Sequence, residues 1–285
     1  MISDPKPIRL ARHFFLVVAC LIVIVPIYVV FVASSIPLPQ IFQRPMPMIP
    51  GGALLENYRT AIFEGGRGLG GANPIGAATM LKNSMILAVG VTVMKILISL
   101  HSTFAIVFFR FPGRNLFFWT IFLTLMLPVE VRIVPTYSLI SALGMRNSYV
   151  GLILPLAVSA TATFLFKQYF MTIPDELVEA AKIDGAGPMR FFAHILVPMS
   201  RTPIASLVVI QFVYGWNQYL WPLLITTERR FYTLMLGISR MLNAGDAQAD
   251  WHIVMAITML SMIPTIILVL SMQKQFVKGL TEAEK

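Results

Sequence analysis

Six long apolar runs separated by polar stretches set the pattern of this 285-residue chain. They cover residues 14–35, 83–109, 116–134, 147–166, 202–227 and 253–273. An α-helix needs roughly 20 such residues to cross a bilayer. No strict alternation of polar and apolar positions occurs, which argues against membrane strands. The pattern therefore predicts an all-α, polytopic membrane protein with six transmembrane helices. Composition agrees: 57% of residues are hydrophobic and only 12% are charged. A soluble domain carries about twice that charged fraction.

Between the first two runs the chain changes character. Pro37, Pro39, Pro45, Pro47 and Pro50, then Gly65, Gly66, Gly68, Gly70 and Gly71, favour loops and turns. One short helix is expected at 54–63, with Leu55, Tyr58, Ala61 and Ile62 near one face. The first run follows a basic leader, yet it exceeds the about 7–15 residues of a secretory h-region, so an uncleaved span is expected. Cys20 lies inside it and is the only cysteine, so no intramolecular disulfide or cysteine-rich metal site is expected.

The net charge of +9 reads as an insertion signal and not as a nucleic-acid footprint. With the N-terminus inside the cell, 12 of the 22 Lys and Arg residues fall on the cytoplasmic side, 8 fall outside, and Lys95 and Arg132 lie at membrane depth. That bias orients both termini to the cytoplasm.

Polar residues inside apolar runs are costly and mark candidate sites. Lys95 sits mid-run, where pairing with a neighbour or facing an aqueous path would each account for it. His101, six residues on, faces another side of the helix and reads as a hydrogen-bonded packing residue. Glu130 and Arg132 lie near the end of the third run, as interfacial charges or as part of a gate. Arg132 suits an anionic ligand, because a guanidinium binds phosphate bidentately. In the fifth run, Gly215 and Pro222 permit a bend, and Tyr214, Asn217 and Gln218 supply polar groups to a gate or path.

The segment between the fourth and fifth runs is polar and helical. Pro174 is expected at the first helical position, Asp175 and Glu176 complement the positive end of the helix dipole, and Gly185 stops the helix. Pro188 suits the start of a second short helix. A rigid, charged projection results, spanning 172–200.

That segment, Glu179-Ala180-Ala181, three residues, Gly185, nine residues, Ile195-x-Val197-Pro198, resembles the coupling loop of the permease subunits of ATP-binding-cassette importers. Val197 departs from the usual Leu. The resemblance implies a type I importer permease fold, with a cytoplasmic N-terminus at 1–13, a first span at 14–35, a periplasmic loop at 36–76, a five-helix core at 77–276 and a cytoplasmic tail at 277–285. It implies that Glu179, Ala180, Ala181, Asp184 and Gly185 couple to an ATPase and have no chemical role. It further implies a second, different permease, a homodimeric ATPase, a periplasmic binding protein and a bacterial inner-membrane location.

Leu55-Glu56-Asn57-Tyr58 and the Trp216-Asn217 element are similar to the sugar-importer branch. Leu127–Ile133, Ser159–Phe166 and Tyr214–Leu223 are similar to permeases that import glycerol phosphate, which implies that cargo. A neutral sugar or oligosaccharide remains open as an alternative.

No Gly-x-x-x-x-Gly-Lys-Ser/Thr phosphate cradle occurs, so ATP and its magnesium are expected on a partner. His13, His101, His194 and His252 are scattered, and no His-Glu-x-x-His occurs, so neither a metal site nor an enzyme is expected. A proton- or sodium-coupled carrier needs intramembrane carboxylates, and Glu130 is the only acid within a run.

Overall fold

The computed structural model describes residues 6–69, 75–124, 127–243 and 249–282. All regular structure among them is helical. The helices are α1 Lys6–Ser35, α2 Leu38–Ile41, α3 Leu54–Phe63, α4 Ala77–Phe108, α5 Arg114–Leu123, α6 Val129–Ala142, α7 Tyr149–Ile153, α8 Ala160–Phe170, α9 Asp175–Ile183, α10 Pro188–Phe191, α11 Val197–Met199, α12 Arg201–Trp216, α13 Leu220–Ile225, α14 Leu234–Leu242 and α15 Trp251–Glu282.

Three described helices are long and apolar enough to cross a membrane: Pro7–Ser35, Ala77–Phe108 and Trp251–Gln273. Two bent pairs raise the number to five if each is one span, Tyr149–Leu156 with Ala160–Phe170 at 49° and Pro188–Met199 with Arg201–Trp216 at 74°. The chain divides into two compact units, Met1–Thr79 with Gly237–Ile263, and Met80–Leu236 with Pro264–Lys285.

In the first unit α1 is exposed along nearly its whole length and buries only its end, Val32 to Ser35. Its length and apolar character suit a membrane span. The end is held by α3. Asn57, 5% exposed, donates from Nδ2 to the carbonyls of Ser34 at 2.9 Å and Ile36 at 3.0 Å. These acceptors stand at the helix C-terminus, where carbonyls lack intrahelical partners. The helix boundaries at 54–63 match the expected ones, and so does most of the expected face, Ala61 being buried and Tyr58 and Ile62 half-buried; Leu55 departs from it. Leu55 is 84% exposed, and the buried positions are Asn57 and Ala61, one turn apart. The pattern of apolar residues misses Asn57, because its contact is a pair of amide bonds to backbone.

In the second unit, three expected runs are broken. Run 116–134 divides into α5 and α6, with Pro128 as the N-cap residue of α6 at φ −54° and ψ 143°. Proline disfavours the α conformation of the residue before it, so one continuous helix cannot pass. Run 147–166 breaks around Pro155, and Ser159 restarts the helix by accepting from the Ala162 N–H at 3.2 Å. Run 202–227 breaks between Trp216 and Leu220, in the interval between the two residues expected to permit a bend.

Helices α4 and α12 meet closely. A Cβ added to Gly215 would stand 2.9 Å from the Cα of Ala88, so only glycine allows this approach. Two apolar clusters flank the middle of α4. One holds Leu87, Val91, Ile140, Leu152, Trp221 and Ile225. The other joins Ile96, Leu100 and Phe104 to Phe166, Phe170, Ala181, Phe191, Phe192 and Leu207.

Candidate functional site

The three backbone breaks of the second unit converge on one cavity of about 600 Å³. Leu127 and Pro128 come from the first break, Val158 and Ser159 from the second, and Gln218 from the third. Each break exposes backbone polar groups that lipid cannot satisfy, and such backbone is tolerated at membrane depth where it lines a cavity.

Into this cavity α4 brings Lys95, α6 brings Arg132 and Thr136, and α12 brings Gln211 and Tyr214. Lys95 is 5% exposed, and its Nζ donates to Gln211 Oε1 at 3.1 Å. The same ammonium stands 3.5 Å from the centre of the Tyr214 ring. The negative face of the ring attracts it without neutralising it. Gln218 Nε2 donates to the Tyr214 carbonyl at 3.2 Å, bridging the break. Among the described residues that line the cavity none is acidic.

Of the expected path residues, Lys95, Arg132, Tyr214 and Gln218 therefore come together. Asn217 does not join them: it is the exposed C-cap residue of α12. Glu130 is on α6, and its side chain lies outside the described residues. His101 is exposed, its Nδ1 lies 2.8 Å from the Leu97 carbonyl of its own helix, and its ring packs on Phe192 at 4.7 Å. Gln211, 4% exposed, was not anticipated. Its signal was present, an amide alone within the apolar stretch 207–213.

The polar segment after α8 forms a two-helix projection. Pro174 is the N-cap residue of α9, at ψ 139°, and not the first helical residue as expected. Its fixed φ serves equally well there, and Asp175 and Glu176 fill the first turn. Gly185 takes φ +73°. Its N–H donates to the Lys182 carbonyl at 3.0 Å, and that of Ala186 donates to the Ala181 carbonyl at 2.9 Å. This pair of bonds is the Schellman motif, which requires a left-handed residue at this position. Gly187 and Pro188 then open α10. A π-helical turn, Phe192–Leu196, follows directly before Pro198, whose ring would crowd the carbonyl of a regular α-turn.

Glu179, Ala180, Asp184 and Gly185 are exposed, as are Ile183 at 86% and Met189 at 60%. Ala181 alone of the motif faces inward, 5% exposed, against the aromatic cluster. Phe104–Phe192 at 4.9 Å and Phe108–Phe191 at 5.4 Å extend that contact to α4. The projection is thus packed onto the helix that carries Lys95. A close-packed aromatic core moves as a body and transmits displacement.

A polytopic helical chain with broken spans around a polar cavity, and a rigid polar projection packed onto the cavity-bearing helix, defines a membrane transport subunit. The chain belongs to the family of binding-protein-dependent transport system inner membrane components, whose model matches residues 7–282. It is 53% identical over 285 residues, with 100% of both chains covered, to the sn-glycerol-3-phosphate transport system permease protein UgpE of Brucella abortus (strain 2308). The protein of the same name from Salmonella typhi is 51% identical over the same full length. Among solved structures, a chain of a bacterial ABC transporter involved in the import of the acidic polysaccharide alginate superposes with a TM-score of 0.79, covering 97% of this chain and 100% of that one at 20% identity. The fold is accordingly that of an importer permease, and the chain is a transport subunit and not an enzyme.

Proposed function

We propose that this chain forms half of the translocation path of an ATP-driven importer for sn-glycerol-3-phosphate and its diesters. The observation that carries the reading is full-length identity of 53% to a permease named for that substrate. A cavity bearing Lys95 and Arg132, with no acidic residue among its described lining, supports an anionic cargo.

By this reading the chain crosses the inner membrane six times, the stretch 114–142 being a sixth, broken span. Both termini are cytoplasmic. A second, different permease supplies the other half of the path, two copies of an ATPase hold ATP and magnesium, and a periplasmic binding protein delivers cargo. The core runs from 77 to 276, and the loop 36–76 faces the periplasm. Glu179, Ala180, Ala181, Asp184 and Gly185 seat the permease on the ATPase. Closure of the ATPase pair on ATP moves the projection, and the aromatic cluster carries that movement to α4, α8 and α12. The path then opens toward the docked binding protein, and hydrolysis returns it to the inward-facing state.

The test is cargo-stimulated ATP hydrolysis by the reconstituted complex with its binding protein. Stimulation by glycerol-3-phosphate and glycerophosphodiesters, with none by maltose or trehalose, is expected. Stimulation by the neutral sugar alone would keep the architecture and overturn the substrate.

A further inference from the structure

We infer that Lys95 and Arg132 form a phosphate-ester subsite within the path, one that favours a monoester over a diester. The inference rests on the substrate reading above and assigns its selectivity to named groups. A buried ammonium ordinarily keeps a carboxylate beside it, because desolvation is costly and a neutral dipole returns only part of that cost. Lys95 has an amide oxygen at 3.1 Å and a ring face at 3.5 Å. Neither cancels its charge. Arg132 lines the same cavity, is exposed, and forms no ion pair with a described residue.

Two cations around one cavity, with no acidic residue among its described lining, repel each other and create a standing positive potential there. A bound anion removes both costs. The cavity, about 600 Å³, lies within the range that holds small ligands. Lys95 offers a point charge and Arg132 a planar fork suited to two phosphate oxygens. Thr136 and Thr161 also line the cavity and can accept from a glycerol hydroxyl, the Thr136 hydroxyl donating to the Arg132 carbonyl at 2.7 Å. A phosphomonoester carries about −1.5 to −2 near neutral pH. A phosphodiester has a single ionised oxygen, so removing a cation penalises the monoester more.

A purely structural reading would make Lys95, Gln211 and Tyr214 a strut between α4 and α12. The strut and the subsite differ in what substitution does to cargo preference. In the full reconstituted complex, uptake of glycerol-3-phosphate and of glycerophosphocholine is measured for Lys95→Gln, Arg132→Gln, Arg132→Lys and Gln211→Glu. Gln211→Glu preserves size and places a carboxylate against Lys95, cancelling its charge without removing it.

Lys95→Gln, Arg132→Gln and Gln211→Glu are each expected to lower monoester uptake about tenfold, the worth of one charge-assisted hydrogen bond. Diester uptake falls less, and Arg132→Lys retains part of the activity. Equal losses for both esters, or monoester uptake within about twofold of the parent, would overturn the subsite. If Lys95→Gln fails to assemble, Arg132→Gln at its exposed position and the isosteric Gln211→Glu decide the matter. Failure of the parent complex to carry glycerol-3-phosphate would instead overturn the substrate reading.

Discussion

Replacing Gly185 by Val should break coupling while leaving the permease folded. Gly185 sits at φ +73°, and a Cβ added there would meet nothing within 4 Å. The penalty is therefore conformational and not steric. A left-handed backbone costs an L-residue roughly 1–2 kcal/mol, and a β-branched side chain worsens it. Relaxing that strain breaks the bonds from Gly185 to Lys182 and from Ala186 to Ala181, each worth about 1 kcal/mol. A net cost of about 2 kcal/mol lowers the population of correctly closed projections about thirtyfold. The position is exposed, so the loss stays local. The assay compares cargo-stimulated ATP hydrolysis and thermal melting for the parent, Gly185→Val and Gly185→Asn. Asn tolerates the left-handed region, so it should keep most of the stimulation, whereas Val should lose most of it with little change in Tm. Stimulation by the Val variant at the parental level, or equal impairment by Asn and Val, would refute the argument.

Ala181→Leu forces extra methylenes into the aromatic cluster beneath the projection and should cost about 1–3 kcal/mol, read as a lower Tm and reduced stimulation. Gly215→Leu should part α4 from α12, since its Cβ would stand 2.9 Å from Ala88 Cα, and Gly215→Ala should do so less; yield of assembled complex and Tm report this. Asn57→Leu preserves size but removes two hydrogen bonds to the end of α1, about 2 kcal/mol, and should make the segment 36–53 more sensitive to protease.

Local chemistry was legible in the sequence wherever one residue dictates the backbone. The turn at Gly185 and the start of α10 at Pro188 could be read directly, because proline and glycine act within a few positions, and the limits of α3 followed from its short apolar face. The all-α class followed from the apolar runs. The breaks in those runs were harder to place, since a hydropathy pattern measures preference for lipid and not continuity of helix. Pro128, Pro155 and Ser159 mark two of the breaks in retrospect.

The candidate site was visible residue by residue, but its assembly was not. Lys95, Arg132, Tyr214 and Gln218 could be singled out as costly in lipid, yet helix rotation and tertiary packing decide that they share a cavity. Asn217 shows the converse, since one residue's turn in the backbone separates it from Gln218 and leaves it outside. Gln211 escaped because an amide in an apolar run gives a weaker signal than a charge, although it holds Lys95. Likewise Leu55 looked like a buried position, when the face of α3 is set by what Asn57 bonds.

The most direct measurement is uptake of labelled glycerol-3-phosphate into vesicles holding this permease with its partner permease, ATPase and binding protein. The account predicts accumulation that requires ATP and the binding protein, competes with glycerophosphodiesters and ignores maltose. Accumulation of maltose in place of the phosphate ester, or uptake indifferent to ATP, would contradict it.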